Sequence, residues 1–178
     1  HREDFGGGEI DDIIKGIDYL DREGLIDRNR VVMQGGSTGG YRTMQAAVRY
    51  PDALKAAVNM YGPTNVVSLQ SFYANTGRRT LFGGSDTSKS AEHWRERSAT
   101  YNIDRIKTPI LLLWADRDLG VPTMQAEEYY RLAKQKGVPV EYVAYPNESH
   151  GWYNWRPETL KDALKRVAAH YDKYLGQE

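Results

Sequence analysis

Apolar residues recur along the chain at two spacings, and the alternation between them sets out the elements. Ile10, Ile13, Ile14, Ile17 and Leu20 stand three and four apart, which predicts an amphipathic helix over residues 9–23 ending before Gly24. The apolar run at 31–34 then reads as a short buried strand. Met44, Ala47 and Val48 share one side of a second predicted helix, 38–50, which Pro51 stops. Apolar runs at 56–60, at 110–114 behind Pro109, and at 138–144 predict three more strands. Helical spacing returns at 122–136 and at 157–175, the last through Leu160, Leu164, Val167, Tyr171 and Leu175. Strands that alternate with helices imply right-handed crossovers, so the predicted fold class is α/β, a mostly parallel sheet of about four strands with helices on both faces.

Residues 62–108 interrupt this rhythm. Gly, Ser, Thr, Arg and aromatic residues mix there without a sustained period, apart from a turn or two of helix foreseen at 92–97. The segment reads as an irregular insert, of the kind that often serves as a functional loop or lid. The whole chain, 1–178, reads as a single domain without repeats or linkers, long enough to bury a substantial core.

Composition narrows the partners. Twenty-four basic and twenty-four acidic side chains cancel, so no overall field steers the chain towards nucleic acid or an anionic membrane, and a small or neutral substrate fits better. The absence of cysteine excludes a disulfide framework, a thiolate metal site and a cysteine nucleophile. It leaves the compartment open, with the cytoplasm favoured. No apolar stretch approaches the roughly 20 residues that span a bilayer, and the first residues do not resemble a signal peptide, so a soluble protein is expected. Clustered metal ligands are lacking, and neither a metal nor another cofactor is expected.

The most specific local signal is Gly35-Gly36-Ser37-Thr38-Gly39-Gly40, arriving straight after Val31-Val32-Met33. A strand that breaks into a glycine-flanked serine and continues as a helix lifts a nucleophile onto a sharp turn. Short Gly/Ser patterns also make ordinary turns, and a phosphate-binding loop would need a closing Lys-Ser/Thr that is absent. To attack, Ser37 needs a base within reach and a third group to orient that base. Of the four histidines, His1 is terminal, His93 lies in the insert and His170 in the closing helix. His150 remains, in Glu148-Ser149-His150-Gly151, past the fourth strand. Loops of a parallel sheet gather at the carboxyl ends of its strands, which brings His150 and Ser37 to one edge. The loop after the third strand offers two acids, Asp116 and Asp118, either of which has a plainer use in pairing with Arg117 or capping the next helix. The order Ser, Asp, His is that of the α/β-hydrolase fold.

Taken together, these segments resemble the peptidase domain of the prolyl oligopeptidase family, within the α/β-hydrolases. The matching residues are Gly8-Glu9-Ile10-Asp11-Asp12, the elbow through Tyr41, Ile106-Lys107-Thr108-Pro109, Asp118 with Val121-Pro122, and Tyr145-Pro146 leading into His150-Gly151. The resemblance covers nearly the whole chain and implies an α/β-hydrolase-like fold. It selects Asp118 as the acid, with Trp114-Ala115 standing where the family usually has His-Gly. Family members carry further strands before the leading helix, and that region supplies their second oxyanion donor. Gly6-Gly7-Gly8 reads as a flexible entry to the first helix and not as a replacement. The backbone N–H of Thr38, at the amino end of its helix, is the first donor.

The expected function is therefore a serine hydrolase working by acyl transfer through Ser37, Asp118 and His150, with Thr38 at the oxyanion, on a small peptide as the family does. A carboxylesterase on small acyl esters and a non-catalytic half-domain or assembly module are the alternatives. Tyr41, Tyr61 and Trp152 are expected to bind substrate, the plainer role of each being core packing or loop anchoring. The strand at 31–34 would become a sheet edge. It is expected to be covered by another copy of the chain or by a complementing polypeptide, unless the chain is a fragment.

Overall fold

Residues 4–73 and 91–176 are described by the structure, a computed structural model. Four strands, β1 (Val32–Gly36), β2 (Ala56–Met60), β3 (Ile110–Ala115) and β4 (Val140–Tyr145), pair in parallel in the order β1-β2-β3-β4. Six α-helices accompany them among the described residues: α1 (Gly8–Arg22), α2 (Thr38–Arg49), α3 (Val66–Tyr73), α4 (Ala91–Glu96), α5 (Met124–Gln135) and α6 (Pro157–Leu175). Every element foreseen from periodicity is present, and the sheet is the expected α/β-hydrolase-like one.

The two inner strands explain why the sheet needs cover on both sides. Neighbouring side chains along a strand point to opposite faces, yet Ala56 to Asn59 and all of Ile110 to Ala115 are buried. Helix α2 packs on β1 and β2, α6 on β2 and β3, and α5 beside β4. Leu111, Leu112 and Leu113 are at most 1% exposed, and burial of each stabilises the fold by about 1.5–3 kcal/mol. Trp114 joins this core because its indole N–H donates to the Val121 carbonyl at 2.8 Å. The register sets Gly36 beside Met60, and Met60 beside Leu113. The segments that follow the strands consequently leave from one edge.

Two features depart from the periodicity. Residues 66–73 are helical where the sequence predicts an irregular insert, because Val66-Val67-Ser68-Leu69-Gln70-Ser71-Phe72-Tyr73 is apolar around most of its circumference and shows no stripe. A 3₁₀ segment, Ala99–Arg105, follows α4. Buried Gln125 pins this region to α5, accepting from the Thr64 and Asn65 N–H groups at 3.0 and 2.8 Å and donating to the Asn65 carbonyl at 3.1 Å. Residues 74–90 of the same predicted insert lie outside the described residues. The second departure is in α6, which buries Thr159, Ala163, Val167 and His170 while Leu164 stays 53% exposed. The small Thr159 and Ala163 let the helix lie close to the sheet. Leu160 and Leu164 therefore line an outward depression with Pro157 and Ala168, between Lys161 and Lys165.

At the other end, Gly6-Gly7-Gly8 is packed and not a loose entry. Phe5 stacks on Tyr41 with ring centroids 4.9 Å apart, and a Cβ on Gly6 would lie 2.2 Å from the Tyr41 hydroxyl. The Asp4 carboxylate accepts from the Gly8 N–H at 2.7 Å and from Arg97 at 2.6 Å, which ties this turn to the far side of the insert. Among the described residues, no helix is long and apolar enough to cross a membrane.

Candidate active site

Ser37 sits where β1 turns into α2, with φ 54° and ψ −118°. A side chain there is strained by about 1–3 kcal/mol, a cost borne only where the surroundings fix the backbone. The Ser37 N–H donates to the Met60 carbonyl at 2.9 Å, and the Ser37 carbonyl accepts the Tyr41 N–H at 3.0 Å. The chain doubles back so tightly that a Cβ on Gly35 would lie 2.2 Å from the carbonyl carbon of Gly39. Thr38 opens α2, so its N–H belongs to the first turn, where backbone donors have no acceptor within the helix and the dipole is positive.

His150 leaves the loop after β4 and reaches across the edge. Its Nε2 lies 2.9 Å from Ser37 Oγ and its Nδ1 2.8 Å from Asp118 Oδ2. An ionised Asp118 can only accept, so the imidazole carries its proton on Nδ1 and turns a bare Nε2 towards the serine hydroxyl. The Asp118 side chain is fully buried, while that of His150 is 31% exposed. Burial of the carboxylate is offset locally: Oδ1 accepts the N–H groups of Gly120 and Val121, both at 2.7 Å. Gly120 matters for the same approach, since a Cβ there would lie 3.0 Å from the His150 ring.

Of the two acids in the loop, Asp118 and not Asp116 faces the histidine. Asp116 is exposed and accepts the Asn147 N–H at 2.7 Å, while the Arg117 N–H donates to the Glu148 carbonyl at 3.0 Å and the Arg117 side chain to Asn147. These bonds lace the acid loop to the histidine loop. Buried Glu148 anchors the latter further, accepting from Arg156 Nε at 2.8 Å. Burial pushes the Glu148 carboxyl up, but hydrogen bonds from Thr159 and Arg156 outweigh it and hold the group below its ordinary value.

The aromatic residues expected to bind substrate separate. Tyr41 is only 1% exposed and lies in a small core with Val66, Leu69 and Trp94, so it packs the fold. Tyr61 is 2% exposed, with its ring 4.9 Å from that of His150 and its hydroxyl accepting the Trp152 N–H at 3.0 Å. Trp152 itself is 43% exposed and Tyr153 76%, both in the loop that carries His150. Asn59 went unnoticed in the sequence. It is fully buried and clamps Gly62, accepting its N–H at 2.7 Å and donating to its carbonyl at 2.9 Å. A single amide inside the apolar run Ala56-Ala57-Val58-Asn59-Met60 was the available signal.

Known proteins resemble the chain along most of its length. Dipeptidyl aminopeptidase BIII of Pseudoxanthomonas mexicana is 29% identical over 167 residues, covering 89% of this chain and 24% of that protein. The acylamino-acid-releasing enzyme of Arabidopsis thaliana is 27% identical over 177 residues, 95% of this chain and 23% of that protein. A puromycin-hydrolyzing peptidase of Mycobacterium tuberculosis superposes with a TM-score of 0.89 at 28% identity, covering 99% of this chain and 27% of the other. The chain thus spans about a quarter of the length of these relatives. The sequence profile of the prolyl oligopeptidase family matches residues 1–178, and the chain belongs to that family.

Proposed function

We propose that the chain is a serine peptidase that transfers an acyl group from an amide to water through Ser37. The support is the unbroken line of contacts from Ser37 Oγ through His150 to Asp118, at 2.9 and 2.8 Å. As Oγ attacks the carbonyl carbon, its proton passes to His150 Nε2 and the carbonyl oxygen becomes an oxyanion facing the Thr38 N–H. Asp118 stabilises the imidazolium. Collapse of the intermediate breaks the carbon–nitrogen bond, and the proton on Nε2 goes to the leaving amine. A water, deprotonated by the same nitrogen, then releases the acyl group and restores Ser37.

The relatives named for dipeptidyl aminopeptidase activity, acylamino-acid release and puromycin hydrolysis favour a small amide, such as a short peptide or a blocked amino acid. Trp152 and Tyr153, exposed in the loop that carries His150, offer such a ligand apolar contact. A fluorophosphonate should label the wild-type protein and fail to label Ser37→Ala. A folded wild type that resists labelling overturns the proposal. Turnover of aminoacyl or prolyl amides marks a peptidase, whereas turnover of p-nitrophenyl esters alone marks a carboxylesterase.

A further inference from the structure

Tyr61 has an unusual backbone for its residue type. It follows β2 with φ 43°, in the left-handed region that non-glycine residues seldom adopt. Three bonds hold it there. Asn59 clamps Gly62 on both sides of its peptide, at 2.7 and 2.9 Å, and the Tyr61 N–H itself donates to the Leu113 carbonyl at 2.9 Å. With its backbone fixed by the sheet, the side chain projects over the elbow. A Cβ on Gly36 would lie 2.7 Å from the Tyr61 hydroxyl, so the glycine there leaves room for it.

What the side chain reaches is the histidine loop. Its ring stands at 67° to the imidazole of His150, with centroids 4.9 Å apart, and at 68° to Trp155 at 5.8 Å. Its hydroxyl accepts the N–H of Trp152, the first residue of a 3₁₀ turn, Trp152–Asn154, whose leading donors have no partner within the turn. Between His150 and Trp152 lies Gly151 at φ 97°, a residue free to swivel. Tyr61 thus grips the loop on both sides of its most permissive joint.

We propose that Tyr61 is a positioning residue for His150, holding the imidazole between Ser37 and Asp118 by capping the turn that follows it. This rests on the assignment of His150 as the base. Tyr61→Phe keeps the ring and removes only the acceptor. The maximal rate of fluorophosphonate labelling should fall about 10- to 100-fold, as displaced catalytic groups lose rate, with the half-saturating probe concentration unchanged. The downfield proton resonance of His150 Nδ1 should broaden or vanish, while the melting temperature stays within a few degrees. Full-rate labelling with the resonance intact overturns the proposal. Should the wild type itself not be labelled, the hydrolase assignment fails and the resonance alone decides: lost in Tyr61→Phe it supports the positioning role, retained it refutes it. If Tyr61→Phe does not fold, Trp152→Pro deletes the same bond from the donor side, and an intact resonance there refutes the role equally.

Discussion

Among the described residues, three histidines have ordinary side chains and quite different surroundings. His93 lies in α4 with its ring 5.0 Å from that of Trp94, His150 stands between Ser37 and Asp118, and His170 is buried in α6 at 3% exposure. Burial pushes the pKa of His170 below its ordinary 6.5, against the opposing pull of the Pro109 and Ala57 backbone and of Glu141, with Lys173 adding to the depression. The unfolded chain therefore takes up this proton first. The contribution to stability is complete above about pH 6.5 and is lost as the pH falls from there towards the folded value, by at most about 1.4 kcal/mol per pH unit for one proton. Urea midpoints should drop between pH 7 and pH 5 in the wild type and drop less in His170→Phe. Parallel slopes in the two proteins refute the assignment. The sequence placed His170 in a regular helix and so away from the chemistry, but its burial was not legible. The leucines at 160 and 164 drew the predicted apolar stripe to one side, whereas contact with the sheet is made by Thr159 and Ala163, whose size and not their hydropathy suits a close approach.

At the scale of elements, the turn from β1 into α2 was the most legible part of the chain, because Gly35, Gly36 and Gly40 in it each answer a local steric demand. The motif treats Gly35 and Gly39 alike; the packing does not. A Cβ on Gly35 would lie 2.2 Å from backbone atoms of Gly39, which no rotamer change relieves, while a Cβ on Gly39 meets nothing within 4 Å. Gly35→Ala should cost about 1–3 kcal/mol or more by overpacking, and Gly39→Ala should be neutral or gain up to about 1 kcal/mol from helix propensity. Thermal melts of the two variants check this, and equal losses contradict it. The acid and histidine loops were legible for a related reason: strand order alone brings them to the serine's edge. The polar clamps that stiffen this edge were not. Gln125 reaches Thr64 and Asn65 across some sixty residues of sequence, and Asn59 sits in an apolar strand, so neither leaves a period or a motif behind.

The whole molecule is a sheet with unequal strands. β2 and β3 have neighbours on both sides, but β1 pairs only with β2 among the described residues, and its residues are partly exposed where those of β3 are fully buried. The end of α1 and the turn after it are also apolar and open, with Tyr19 53%, Leu20 38% and Leu25 69% exposed. A strand edge with unpaired N–H and C=O groups favours the addition of another strand. A formal net charge of zero opposes no approach between copies. We therefore propose that the free side of β1 is covered by a strand from a second copy or from another polypeptide, or, where the chain is a fragment, by further residues of its own polypeptide. In the first case the purified protein sediments faster as its concentration rises, and Gln34→Lys, which puts a charge on an exposed position of the edge, returns it to the monomer. The substitution removes only the exposed bond from the Tyr171 hydroxyl to Gln34, at 3.1 Å, so the melting temperature should change little. In the second case the protein alone stays soluble only at low concentration, and co-expression with the covering polypeptide raises its melting temperature. A monodisperse, stable monomer at every concentration, unchanged by any added chain, overturns both the second copy and the other polypeptide as the cover of β1.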